Sequence, residues 1–201
     1  MKSMKCLSSL LILAIALTLA SCGAGKREAA TIGLKLAEDA YNAVKGELVQ
    51  YVPDGAKAVE DAIAAAKASF EQGKFAEVAT AVKGIPDKVK ELTAAAEAKK
   101  AELSAGWETM SAGMPQMLDG IKTKIEALAK TKKLPAGLDK AKVEVAKSGY
   151  AAATAMWEEA KAAFSGGNLV DAMNKAKTVQ EKAVEAMTNL GMVAPAPPAQ
   201  G

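Results

Sequence analysis

The sequence predicts an all-α fold, either an elongated helical bundle or a kinked long-helix array. After residue 28, apolar residues recur at alternating steps of three and four, which is the spacing of one face of an α-helix. Half of the residues are hydrophobic, but only two Trp, three Tyr and three Phe are aromatic. Much of the remainder is alanine, the strongest helix former. No run of alternating Val, Ile, Thr or aromatic residues indicates a strand.

The first two helices are predicted over residues 28–51 and 54–72. The Val-Pro-Asp-Gly segment at 52–55 separates them, because proline cannot continue an α-helix without a kink. Gly73 ends the second helix, since glycine adopts the left-handed conformation without steric cost. The predicted apolar faces are Leu34, Ala37, Tyr41, Val44, Leu48 and Tyr51 in the first helix, and Val59, Ala62, Ile63, Ala66 and Phe70 in the second.

A long third helix is predicted over residues 75–130, because the three-four rhythm continues from Val78 to Leu128 with Lys99 as the one polar interruption. Pro86 and Pro115 each remove a backbone hydrogen bond. We therefore expect a kink or short break at residues 84–86 and another near residues 113–115.

The last two helices are predicted over residues 136–165 and 168–190. Pro135 precedes the first of them, and Gly166-Gly167-Asn168 forms the turn between them. Residues 192–201 are predicted to be a disordered, polyproline-like tail rich in Pro and Ala.

Two segments of the chain suggest an internal repeat. Residues 66–77 and 160–171 share Ala, Lys, Ala, Phe and Gly in register. This pattern predicts two related three-helix units, residues 28–105 and 107–190, within a helical domain at 31–191. The alternative is independent use of a common helix-Gly-helix turn by an alanine-rich chain. The hairpins resemble those of tetratricopeptide-type repeats over about 20 residues each, but the 34-residue period of that family is absent, so the resemblance implies no function.

The N-terminal segment predicts export and lipid attachment. Lys2 and Lys5 precede an apolar run at residues 7–19, which is shorter than the roughly 20 residues of a membrane-spanning helix. The run ends in Leu19-Ala20-Ser21-Cys22, which resembles the lipobox of bacterial lipoproteins. The sequence therefore predicts a signal peptide at 1–21 and a lipidated tether at 22–30.

The resemblance to bacterial lipoproteins implies a specific modification. Cleavage would fall between Ser21 and Cys22, and the Cys22 sulfur would carry a diacylglycerol through a thioether. The freed amine of Cys22 can then be acylated in turn, and two or three chains make a stable anchor. Gly23 replaces the Asp that often signals inner-membrane retention in this family, which implies the outer membrane in a Gram-negative host.

Composition excludes several classes of function. The chain has no histidine, and its two cysteines, Cys6 and Cys22, are used by the predicted signal and anchor, so no disulfide is expected. Loss of Lys2 and Lys5 lowers the net charge from +3 to +1, and Arg27 is the one arginine. This charge excludes a nucleic-acid partner.

Three groups of residues are candidates for a site. Tyr150, Trp157 and Phe164 share one helix face and are either core or the walls of an apolar pocket. The methionines at 110, 114 and 117 are either core at a kinked helix, which we favour, or a soft copper site or adaptable groove. Glycines at 106, 113 and 120 permit close helix packing or a hinge. No metal ligand set, cofactor or catalytic motif is predicted.

The sequence therefore predicts a lipid-anchored helical protein of the cell envelope that acts as a binding or structural module and not as an enzyme. Its expected partners are the membrane, through the lipid, and an envelope protein. One alternative is a carrier of an apolar ligand or lipid held between helices. The other is an envelope spacer similar to the murein lipoprotein, although that family attaches to the wall through a C-terminal lysine and this sequence ends in Gly201.

Overall fold

A computed structural model describes the backbone of residues 3–193 and the side chains of residues 24–193, and this part of the chain contains six α-helices and no strand. The predicted all-α fold is confirmed. The helices are α1 (Ser3–Tyr51), α2 (Pro53–Glu71), α3 (Phe75–Val82), α4 (Ile85–Ala129), α5 (Lys140–Ser165) and α6 (Leu169–Asn189). Most of the predicted tail lies outside the described residues.

The chain divides into two compact units, residues 1–99 and 100–201. The N-terminal unit contains α1, α2, α3 and the beginning of α4, and the C-terminal unit contains the rest of α4 with α5 and α6. The division falls at 99/100, whereas the predicted repeat units meet at 105–107.

In the N-terminal unit, α1 packs against α2 and α3, and α2 packs against α3. Small and larger apolar side chains alternate in the core, with Ala37, Leu48 and Val78 fully buried. Exposed salt bridges from Lys45 to Glu60 and from Lys67 to Glu38 also join α1 to α2. Because such exposed pairs contribute little, the apolar contacts hold this unit together.

The α2–α3 and α5–α6 hairpins have the same turn. Gly73 and Gly167 have φ of 74° and 81°, the left-handed conformation that favours glycine. The next residue closes the turn in both cases, since Lys74 donates its backbone N–H to the Ser69 carbonyl at 3.0 Å and Asn168 donates to the Ala163 carbonyl at 2.9 Å. The two sequence segments with shared Ala, Phe and Gly therefore form equivalent local structures.

The two prolines of the predicted 75–130 helix have different effects. The helix is interrupted at residues 83–84, and α4 begins at Ile85, so that Pro86 lies in its first turn. Backbone N–H groups in the first turn of a helix have no intrahelical acceptor, so the missing N–H of Pro86 removes no hydrogen bond. Pro115, in contrast, lies inside α4, and the helix continues through it. Packing of the apolar face on both sides of Pro115 stabilises the helix by more than the loss of one backbone hydrogen bond costs.

Helix α5 begins at Lys140, four residues later than predicted. Gly137 has a φ of 85°, which a helix cannot accommodate. Asp139 then caps α5, because its carboxylate accepts a hydrogen bond from the backbone N–H of Lys142 at 2.8 Å. The predicted start at residue 136 was wrong, because it took Pro135 as the helix boundary and overlooked the cap at Asp139.

The described part of the predicted tether, residues 24–30, belongs to α1, and Ala30 is fully buried. Alanine, lysine, arginine and glutamate in this segment are all good helix formers, which accounts for the extension. Among the described residues, none of the helices combines the length and the apolar character that crossing a bilayer requires.

We predict opposite effects of two glycine substitutions in α1. Gly46→Ala raises the free energy of unfolding by about 1 kcal/mol, because alanine is the better helix former and no atom lies within 4 Å of the added Cβ. Gly33→Ala lowers the free energy of unfolding by about 1 kcal/mol, because the cost of overpacking exceeds the gain in helix propensity. Its Cβ would lie 2.8 Å from Cγ2 of Val82, whose branched side chain is stiff in a helix.

Urea denaturation followed by far-UV circular dichroism measures both effects, with each variant compared with the parent chain. Equal stabilisation by the two substitutions would show that α1 and α3 are not in close contact at Gly33.

Candidate functional site

The residues predicted for signal cleavage and lipid attachment, Ser21 and Cys22, lie outside the residues whose side chains the structure describes. Both assignments remain predictions from the sequence. The functional geometry that the structure does describe lies in the C-terminal unit.

Two aromatic residues of α5 stack on a tryptophan of α4. The Trp107 ring stacks on Trp157 at a centroid distance of 5.4 Å and on Phe164 at 4.6 Å, with interplanar angles of 21° and 9°. Both tryptophans are buried, Phe164 is 43% exposed and Tyr150 is half-buried. Trp107 therefore occupies the space beside Trp157 and Phe164. Sequence reasoning missed this partner, since periodicity identifies the face of a residue but not the helix that it meets.

A groove with a volume of about 410 Å³ lies between α4 and α6. Five of the nine methionines of the chain line it, three from α4, one from α6 and one from the segment after α6. The lining residues are Thr109, Met110, Gly113, Met114, Gln116, Met117, Gly120, Gln180, Met187 and Met192. The methionine stripe of α4, for which a core role was favoured, thus also forms one wall of a groove.

Glycines open the groove along α4. A Cβ on Gly113 would meet no atom within 4 Å, and one on Gly120 would only touch the Met192 methyl at 3.8 Å. Gly106, one heptad earlier, differs, because its Cβ would lie 2.9 Å from the Met173 methyl. The heptad glycines therefore serve close packing at Gly106 and leave open space at Gly113 and Gly120.

The five methionines of the groove differ in exposure. Met110, Met114 and Met187 are buried, with exposures of 8%, 3% and 7%, whereas Met117 and Met192 are half-buried. None of the lining side chains is ionisable, and the polar groups are one hydroxyl and two amides. The groove is thus uncharged and rich in thioether sulfur.

A second groove of about 430 Å³ runs between α5 and α6 and has a different character. Glu144, Lys182 and Glu185 are among its lining residues, and Val145 beside them is half-exposed. Its charged, solvated lining is typical of a helix–helix surface, so the methionine groove is the stronger candidate site.

No Asp, Glu, Lys or Arg side chain is buried among the described residues, and several of them form pairs at the surface. Lys175 donates a hydrogen bond to Glu159 at 2.8 Å, which raises the pKa of Lys175 and joins α6 to α5. In the N-terminal unit, burial and the neighbouring Glu60 carboxylate raise the pKa of Tyr41, while Lys45 lowers the pKa of Glu60. These pairs connect helices at the surface.

Oxygen, nitrogen and thiol ligands do not gather in a metal site in the described residues. Between residues 24 and 193, no three His, Cys, Asp or Glu side chains form a group that could hold a metal ion. The five methionines of the groove are a separate set of sulfur donors in the same part of the chain.

Comparisons with family models, with curated proteins and with solved structures find no match to this chain. The lipobox-like segment and the methionine groove are therefore the features of this chain that bear on its function.

We predict that Trp107→Ala lowers the free energy of unfolding of the C-terminal unit by about 3–5 kcal/mol, because it leaves a cavity beside two rings. Phe164→Ala costs about 1–2 kcal/mol, since this ring is already 43% exposed. Urea denaturation followed by circular dichroism compares the two variants. Similar losses for both would contradict the central position of Trp107 in the stack.

Proposed function

We propose that this protein is a lipid-anchored helical binding protein of the cell envelope, with the methionine groove of its C-terminal unit as the binding surface. The observation that carries the proposal is the groove itself: an uncharged cavity between α4 and α6 with methionine at half of its lining positions.

The anchor follows from the first 22 residues. A basic start and a short apolar run are typical of a secretory signal, and the Leu-Ala-Ser-Cys sequence at 19–22 resembles the lipobox of bacterial lipoproteins. Each methylene of an attached acyl chain adds about 0.8 kcal/mol of membrane affinity. Two or three such chains on Cys22 would hold the helical units at the membrane surface.

The size and lining of the groove support binding of a small ligand. Its volume of about 410 Å³ lies within the range of about 300–1,000 Å³ that is usual for ligand sites. Methionine side chains have three rotatable bonds and a polarizable sulfur, so that their surfaces adapt to differently shaped ligands. The open positions at Gly113 and Gly120 keep this surface accessible.

A carrier of an apolar ligand or lipid is the second candidate function, and the uncharged lining favours it. An apolar chain would replace water along the methionine side chains without burying an unpaired charge. The site for such a ligand would be the α4–α6 groove and not the aromatic ladder, where Trp107 already fills the space beside Trp157 and Phe164.

We predict that Cys22→Ser abolishes lipid attachment and releases the protein from the membrane fraction, because serine oxygen cannot form the thioether. Cys6→Ser is the matched control, since it changes the other cysteine of the same segment and leaves the predicted lipobox intact. Cell fractionation and intact-mass spectrometry measure processing and attached acyl mass. Normal processing and membrane association of the Cys22→Ser protein would disprove the anchor.

We further predict that Gly113→Leu blocks ligand binding, because the added side chain extends into open space within the groove. Native mass spectrometry of the protein extracted in mild detergent should show a retained small ligand in the parent chain and less of it in the variant. Gly46→Leu, at an open position in the N-terminal unit, is the control. Equal retention by the parent and by Gly113→Leu would exclude the groove as the binding site.

A further inference from the structure

We propose that the methionine groove binds a soft monovalent metal ion, Cu(I) or Ag(I), through thioether sulfur atoms. The ligands are drawn from Met110, Met114, Met117, Met187 and Met192. This inference rests on the proposed function of the groove as a binding surface and names the chemical class of its ligand.

The donor type determines the class of metal. Thioether sulfur is a soft, uncharged ligand, and soft sulfur ligands favour soft metal ions such as Cu(I) over hard ions such as Mg²⁺, Ca²⁺ and Mn²⁺. Ca²⁺ and Mg²⁺ require oxygen ligands, and Zn²⁺ is bound by thiolate, imidazole or carboxylate. The groove lining contains no thiolate, imidazole or carboxylate, and its side-chain oxygen atoms are those of one hydroxyl and two amides.

The spacing along α4 brings three sulfur atoms to one face. Residues 110, 114 and 117 follow the i, i+4, i+7 pattern, in which neighbouring Cβ atoms lie about 5–6 Å apart. The three rotatable bonds of each methionine can turn its sulfur toward a shared point between them. Met187 from α6 and Met192 after it face the same groove, so that the donors come from both walls.

The charge balance favours a monovalent ion over a divalent one. The lining supplies no negative charge, so a bound ion keeps its full charge in a partly desolvated site. The cost of removing an ion from water rises steeply with its charge, which makes a single positive charge the more compatible one. The hydroxyl of Thr109 and the amides of Gln116 and Gln180 add neutral dipoles around it.

The sequence after the predicted anchor contains no thiol or imidazole that would compete for a soft ion. There is no histidine, and no cysteine follows Cys22, which the lipid would consume. Thioethers need not lose a proton before they bind a metal, in contrast to thiols, imidazolium groups and carboxylic acids. Binding in the groove should therefore be independent of pH.

Titration with silver nitrate in chloride-free buffer tests the proposal, since Ag(I) is a soft monovalent ion that needs no reductant. The processed protein, which has lost Cys6 with residues 1–21 and carries lipid on Cys22, is extracted in mild detergent and should bind one Ag(I), as measured by native mass spectrometry and isothermal titration calorimetry. The triple variant Met110→Leu, Met114→Leu, Met117→Leu keeps the side-chain volume but removes three sulfur atoms. Its affinity for Ag(I) should fall by more than about 100-fold, because loss of a hydrogen-bonding partner behind a metal ligand already costs about 10- to 100-fold and here the ligands themselves are removed.

Two further variants keep the test decisive. Met117→Leu combined with Met192→Leu changes the two half-buried ligands, which affects folding less than the buried positions, and it should also weaken Ag(I) binding. Met156→Leu is the control, because Met156 is half-buried in α5 and does not line the groove. It should bind Ag(I) as the parent chain does.

The outcomes separate this inference from the proposed function. Absence of Ag(I) binding by the parent chain, undiminished binding by both leucine variants, or an affinity that rises between pH 5.5 and 8.0 would overturn the thioether site. The retained-ligand comparison with Gly113→Leu is independent of these results, so the groove can fail as a metal site and still be a binding surface. Loss of Ag(I) binding in the leucine variants, with unchanged binding by Met156→Leu and at both pH values, would establish the thioether site.

Discussion

Close approach of helices through alanine and glycine is the constraint on which this structure depends. Nine alanines of the described residues have 0% exposure, and they occur in both units: Ala30, Ala37, Ala96, Ala146, Ala153, Ala160, Ala172, Ala176 and Ala183. Each such residue buries little apolar area, so a core of this kind requires many contacts at short range and depends strongly on its few large side chains. Glycines bring helices closer still, as Gly33 does against Val82 and Gly106 does against Met173.

Helix α4 borders both a filled and an open region of the C-terminal unit. At Trp107, α4 carries a large ring that α5 covers with Trp157 and Phe164, and the space is filled. Farther along the same helix, Gly113 and Gly120 have no side chains to fill the gap toward α6. Methionine side chains line this gap. Because they are flexible, they can cover an irregular surface without the close fit of a packed core.

Much of the fold was predictable because its signals are local. Pro53 begins α2, and Gly73 and Gly167 form hairpin turns, where the conformation of one residue decides the boundary. Pro115 and the beginning of α5 were harder, since the first depends on packing around α4 and the second on a cap at Asp139 that Pro135 obscured. The groove could be seen only in part. The stripe at 110, 114 and 117 was visible in the sequence, but nothing local indicates that Met187 and Met192 face it.

The hairpin glycines also bear on how this chain can diverge during evolution. Every missense change of a glycine codon adds a Cβ, which strains a residue held in the left-handed region by about 1–2 kcal/mol. Gly73, Gly137, Gly167 and Gly191 are all held there. Exposed helix positions, in contrast, exchange alanine, lysine, glutamate and glutamine with little effect on helix stability. Substitutions should therefore accumulate rapidly on the helix surfaces and slowly at these four turns.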